Sequence, residues 1–177
     1  LAQLGELDEL AAAVKPGCTT RELDDLAGVI IARHGARSAF LGYRKYPCQC
    51  CISVNDEVVH GMGKPTRRLE FGDIVSLDVG VVVDGFVGDT AHTVPVGGCS
   101  LEAQRLLDVT EKALFDGIAA ARAGNRVTDI SRAVQRLLQR VPAGAAALPH
   151  TPQVFPYGLV ADQASITPTD KIGRASC

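Results

Sequence analysis

Residues 72–97 read GDIVSLDVGVVVDGFVGDTAHTVPVG. Two extended runs flank Asp84-Gly85, the dipeptide best suited to a two-residue hairpin, because both central positions need positive φ. Val79 to Val83 is almost entirely β-branched, which favours a buried strand. Two acids interrupt the apolar run, Asp78 and Asp89. With Asp84-Gly85 as the loop, Val83 faces Phe86, and counting back along both strands sets Asp78 opposite Ala91. Side chains alternate faces, so Asp89 shares the face of Ala91 and therefore of Asp78. The two acids become diagonal cross-strand neighbours, roughly 7 Å apart at Cα. Like charges on an apolar hairpin cost free energy unless one is protonated or a cation lies between them. Such a pair suits one or two divalent ions of the kind a hydrolase uses to activate water. The same spacing also fits an ordinary antiparallel sheet whose second face is wet.

Working outward, the hairpin segments SLDVG (76–80) and DGFVGDTAHT (84–93) are preceded by CISVNDEVVHG (51–61) and FLGYRKYP (40–47). In order and spacing these resemble the core of type I methionine aminopeptidases, metal-dependent enzymes of the pita-bread fold, from about Ala11 to Gln135. The resemblance implies that Asp78 and Asp89 are metal ligands, and that His60 is an active-site histidine in contact with substrate. It also implies that Phe40, Tyr43, Tyr46 and Cys51 line the pocket for a methionine side chain. Two divalent ions per site (Co, Mn, Fe or Zn) and a peptide or nascent-chain N-terminus as substrate follow from the same likeness. Without it, His60 reads as a half-buried loop histidine. His92, one step out of phase with Asp89, belongs on the opposite face and reads as structural.

The chain of 177 residues, 46% hydrophobic and 21% charged, is large enough for one cored domain. A net charge of −2 gives no electrostatic case for nucleic acid or an anionic membrane. No apolar run approaches the ~20 residues needed to span a bilayer. With no signal-peptide pattern either, the expectation is a cytoplasmic protein whose six cysteines stay reduced. Cys48, Cys50 and Cys51 crowd together without the paired spacing of a structural zinc site. Only Cys51 finds a place in the family pattern; Cys48 and Cys50 are extra. The sequence begins at Leu1, so the natural start is expected upstream.

Helical spacing marks Leu1–Val14, ended by Lys15-Pro16-Gly17. Thr19 and Glu22 form a capping box for a second helix that ends near His34-Gly35. A turn at Asn55-Asp56 joins two strand-like pieces between Ser53 and His60. Ser100 caps a helix running to about Ala121, and Thr128 caps another from Asp129 to about Val141. The fold class is α+β, the first half of a pita-bread fold, with an antiparallel sheet and flanking helices over residues 1–141.

From 142 onward the segment is rich in Pro, Ala and Gly, and it reads as a divergent loop-like or artefactual tail. Its last residues, KIGRASC (171–177), resemble a translated sequencing adapter and are set aside from fold reasoning. The family pattern continues with a GHG segment supplying a histidine ligand and with two later glutamates. Here His150 sits in PHTP, a candidate replacement, and no glutamate follows Glu111. This chain is therefore expected to be inactive by itself. It is also expected to self-associate through Val79, Val81, Val83, Leu106, Leu114, Leu137 and Leu138, left uncovered by a missing second half. Alternatives to the methionine-removing enzyme are a non-catalytic pita-bread binding module and an X-Pro metallopeptidase.

Overall fold

The computed structural model describes residues 2–138. Four helices, α1 (Ala2–Ala12), α2 (Thr20–Arg33), α3 (Leu101–Ala120) and α4 (Val127–Leu138), accompany strands β1 (Arg37–Ser38), β2 (Cys51–Val54), β3 (Ile74–Val83) and β4 (Phe86–Pro95). The sheet is antiparallel throughout: β4 pairs along one edge of β3, while β2 and β1 share the other edge. The α+β expectation holds.

The hairpin turns where Asp84-Gly85 dictates, with φ of 50° and 84° at those residues. Val83 pairs with Phe86 and Asp78 with Ala91, as the turn chemistry requires. One face of β3 carries Val75, Leu77, Val79 and Val81, all buried with Ile52 and Val54 of β2 against Leu7 and Leu10 of α1 and Leu23, Ala27 and Ile30 of α2. That core is complete within the chain. The expectation that Val79, Val81 and Leu114 lie uncovered is therefore corrected: all three are buried. The first two are covered by α1 and α2, whose amphipathic faces lie over the sheet. Val83 is exposed at the hairpin tip, Leu106 and Leu137 are half-buried, and the Leu138 side chain lies outside the described residues.

Thr19 caps α2 through a full capping box with Glu22, and Ser100 caps α3 through the Ala103 N–H. At α4 the expectation fails. The helix begins at Val127, so Thr128 lies inside its first turn. The Asp129 carboxylate reaches back to the Arg126 N–H, the reverse half of a capping box. The second strand-like piece after Asn55 is also absent. Glu57 turns back to accept the Val54 N–H, and Asn55 bonds Asp73 and Ile74 at the start of β3, so residues 57–60 leave the sheet as loop. Residues 139–177, including His150, lie outside the described residues.

Candidate metal centre and substrate cleft

The hairpin face turned away from α1 and α2 carries the acids. Asp78 sits in mid-sheet, between Cys51 of β2 and Ala91 of β4, and Asp89 lies diagonally, opposite Gly80. Asp78 is half-buried and Asp89 exposed. Burial, followed by the charge of Asp89 and a hydrogen bond to it, raises Asp78 to about 7. A protonated Asp78 donating to Asp89 is one resolution of two such neighbours; a cation accepted by both is the other. His92 pairs with Leu77 and so takes the opposite face.

Gly80 explains how an aromatic ring comes close to this pair. A Cβ there would lie 2.4 Å from a ring carbon of Phe40, which is 3% exposed, so only glycine lets the ring rest on the strand beside the acids. Tyr43 to Pro47 and His60 line an open cleft of about 270 Å³. His60 takes φ 61° and is exposed. Tyr46 lines the cleft, its hydroxyl 3.0 Å from the Gly61 carbonyl oxygen and 3.2 Å from that of Cys50. Burial first, then the adjoining Cys51 thiol, push that hydroxyl above the ordinary tyrosine range. Tyr46 thus joins the cleft to the acid face, because Cys51 stands directly opposite Asp78. A second cleft of similar volume, between His92–Pro95 and Gln104, Asp108 and Glu111 of α3, contains none of Asp78, Asp89 or His60.

The structure therefore brings the predicted residues into two connected groups, Tyr43, Tyr46 and His60 in the cleft, and Phe40, Cys51, Asp78 and Asp89 on the sheet face. Among the described residues no set of three or more His, Cys, Asp or Glu side chains converges as a metal site. On donor chemistry, two carboxylates in mutual contact fit a divalent cation as part of a ligand set. Sequence reasoning missed Asp24. It is 2% exposed on α2, and its Oδ1 accepts the Gln49 and Cys50 N–H groups at 2.7 and 3.1 Å. The signal was present: between Leu23 and Ala27, Asp24 falls on the buried face of an amphipathic helix, where an acid needs a reason.

A model described as metallopeptidase family M24 matches residues 6–160. The chain belongs to metallopeptidase family M24. The match runs past Gln135, where the motif resemblance ended, into the segment read as a divergent tail. Among M24 relatives, a methionine aminopeptidase of Clostridium acetobutylicum is 39% identical over 156 residues, 88% of this chain and 57% of that protein. One from Clostridium perfringens is 45% identical over 137 residues, 77% of this chain and 55% of the relative. The crystal structure of methionine aminopeptidase from Thermotoga maritima superposes with TM-score 0.75 at 35% identity, covering 78% of this chain and 55% of that one. The chain thus spans about half the length of the relatives it matches. Its fold is that of the M24 pita-bread enzymes, present in part.

Proposed function

We propose that the protein to which this chain belongs is a metal-dependent aminopeptidase that removes the N-terminal methionine from peptides and nascent chains. The observation that carries this is the Asp78–Asp89 pair, two carboxylates set diagonally on one face of a largely apolar hairpin, with Asp78 raised to about 7 by burial and by Asp89. An M24 chain that kept the fold only for binding would have no need to hold two acids in this costly arrangement. An X-Pro specificity is the weaker reading, because the relatives near 40% identity are methionine aminopeptidases.

In this reading Asp78 and Asp89 are metal ligands and hold divalent ions (Co, Mn, Fe or Zn). When bound, such ions supply the polarisation that makes water a nucleophile near neutral pH. The remaining work falls to the chain's own side chains. His60, exposed at the cleft edge, hydrogen-bonds the substrate near the scissile carbonyl. Phe40, Tyr43, Tyr46 and Cys51 receive an unbranched thioether side chain, for which aromatic edges and a thiol are suitable partners. Phe40 and Cys51, both buried, shield the Asp78 side of the acid face from water, while Asp89 stays open to solvent. The site of action is cytoplasmic; no helix among the described residues is long and apolar enough to cross a membrane.

Calorimetric titration of the 177-residue chain with Mn²⁺ tests the assignment. Wild type binds weakly, and Asp89→Asn or Asp78→Asn weakens it by about tenfold or more. Equal affinity in all three proteins would remove the acids from the metal centre. The same preparation does not hydrolyse Met-Ala-type peptides with Co²⁺, Mn²⁺ or Fe²⁺, since no glutamate follows Glu111 to complete the ligands and serve as base. Turnover abolished by Asp89→Asn would overturn that part.

Self-association of this chain is proposed to centre on the hairpin tip, where Phe86 and Val87 are 81% and 65% exposed beside Val83. Sedimentation velocity should show concentration-dependent association that Phe86→Ser reduces. A monomer across the concentration range would refute it.

A further inference from the structure

We infer that Asp24 is a positioning residue for the cleft: from α2 it fixes the Cys48–Cys50 turn and, by holding Cys50 in place, seats Tyr46 against the His60–Gly61 loop. The functional meaning of that cleft rests on the reading above; the positioning itself does not.

Asp24 is a buried acid with no cation among its bonded partners. Its Oδ1 takes two backbone N–H groups, from Gln49 and Cys50, and lies 3.7 Å from the Cys50 Sγ. Burial, and beyond it the nearby Asp24 carboxylate, push the Cys48 thiol up. Cys50, which the family pattern leaves unexplained, thus finds a role as a donor to this carboxylate through both its N–H and its thiol, and Cys48 is buried beside it. One helical turn earlier, the Thr20 hydroxyl accepts the Lys64 N–H at 2.9 Å and lies within 3.4 Å of the Met62 carbonyl. Two residues one turn apart on one helix therefore hold both loops that flank the cleft, 48–50 before Cys51 and 62–64 after His60.

Tyr46 closes the circuit. Its hydroxyl reaches the Cys50 carbonyl on the Asp24-held turn and the Gly61 carbonyl beside His60. Cys50 is held on both sides of its Cα: the preceding peptide by its N–H to Asp24 and by the Gln49 carbonyl, which accepts from Ser38 Oγ at 2.6 Å, and the following peptide by the Cys50 carbonyl, which accepts from Tyr46. If Asp24 releases the Gln49 and Cys50 N–H groups, only the Ser38 bond still holds the peptide before Cys50, the Cys50 Cα can shift, and its carbonyl moves out of reach of Tyr46, which loses one of its two acceptors. The separation between Tyr46 and His60, and with it the fit of a side chain between them, is then set from α2, although Asp24 touches no part of the cleft lining.

The test uses the full 177-residue chain, by NMR hydrogen exchange and by titration with L-methioninol as the probe. Asp24→Ala speeds exchange of the Gln49 and Cys50 amides by about 100-fold, while Leu10 and Leu77 in the core keep their protection. Asp24→Asn retains an acceptor oxygen of the same reach and stays within about threefold of wild type. In wild type, methioninol shifts the Tyr46 and His60 resonances; Asp24→Ala weakens that binding by about tenfold and Asp24→Asn preserves it.

Unchanged exchange at Gln49 and Cys50 in Asp24→Ala, or an Asp24→Asn variant as damaged as Asp24→Ala, would overturn the inference. Should Asp24→Ala fail to fold, Asp24→Ser, whose hydroxyl is too short to reach both N–H groups, Tyr46→Phe and their double variant decide it. Effects on Gly61 exchange that multiply independently would deny the coupling, and a non-multiplicative double variant would support it. If methioninol causes no shift even in wild type, the reading of the cleft as a methionine pocket fails, while the exchange result still decides the role of Asp24.

Discussion

Asp78→Asn stabilises the metal-free chain by about 2–4 kcal/mol at pH 8 and leaves it nearly unchanged near pH 4. Burial and the nearby Asp89 raise the Asp78 carboxyl to about 7 in the folded protein, against an ordinary value of 3.8. Below pH 4 Asp78 is protonated in both the folded and the unfolded chain, so it contributes no penalty. As pH rises from about 4 toward 7, the unfolded chain releases the proton and the folded chain keeps it, so stability falls with pH. Above 7 the folded chain holds the full cost of a desolvated carboxylate beside a second one. Three units at 1.36 kcal/mol each set the upper figure, and coupling to Asp89 reduces it. Asparagine has the same shape, can donate to Asp89 and never ionises, so its pH dependence over this range flattens.

Urea melts in EDTA at pH 4, 6 and 8 measure this directly. A variant no more stable than wild type at pH 8 would show that Asp78 carries no such penalty. The same substitution is expected to weaken Mn²⁺ binding. Gained stability with lost affinity is the signature of a residue kept for a site at the expense of the fold.

That trade is why the hairpin was the most legible part of the sequence. Asp84-Gly85 fixes the turn, the turn fixes the register, and parity alone puts Asp78 and Asp89 on one face. Thr19 and Glu22 are similarly local, and a capping box four residues long is readable wherever it occurs. What escaped reading depends on partners distant in the chain. Asp24 meets Gln49 and Cys50 some 25 residues later, and the donors it accepts from are backbone N–H groups that no side-chain pattern records. The burial of Val79 and Val81 by α1 and α2 was misjudged because an apolar strand face does not say which helix covers it. At α4, Asp129 reaching back to Arg126 satisfies the helix start as well as a side chain on Thr128 would, and the two choices differ by only a residue or two in sequence. The roles of the site residues remain carried by resemblance and geometry together, since an acid pair at this spacing fits a wet sheet face as readily until burial is known.

Gly61→Ala is expected to be among the most damaging small substitutions in the chain, costing about 3–5 kcal/mol. The Gly61 carbonyl accepts the Ile52 N–H at 2.8 Å, and its N–H donates to Ser53 Oγ at 3.1 Å, so the loop beside His60 lies flat on β2. A Cβ at this position would sit 2.0 Å from the Ile52 carbonyl oxygen and 2.8 Å from the Ser53 Cα. Those are backbone atoms of a strand hydrogen-bonded to β3 on its other side, with Ile52 fully buried, so they cannot give way as a flexible side chain would. The loop must lift instead, breaking both bonds to β2 and the one from Tyr46. His60, held at positive φ next to it, moves with the loop. Gly5→Ala supplies the control. Gly5 lies within α1 with nothing within 4 Å of the added carbon, and there alanine is expected to stabilise by about 0.5–1 kcal/mol through helix propensity. Opposite signs for the same chemical change, read from paired urea melts, check the prediction; a Gly61→Ala loss below about 1 kcal/mol would mean that β2 and the His60 loop are not locked together.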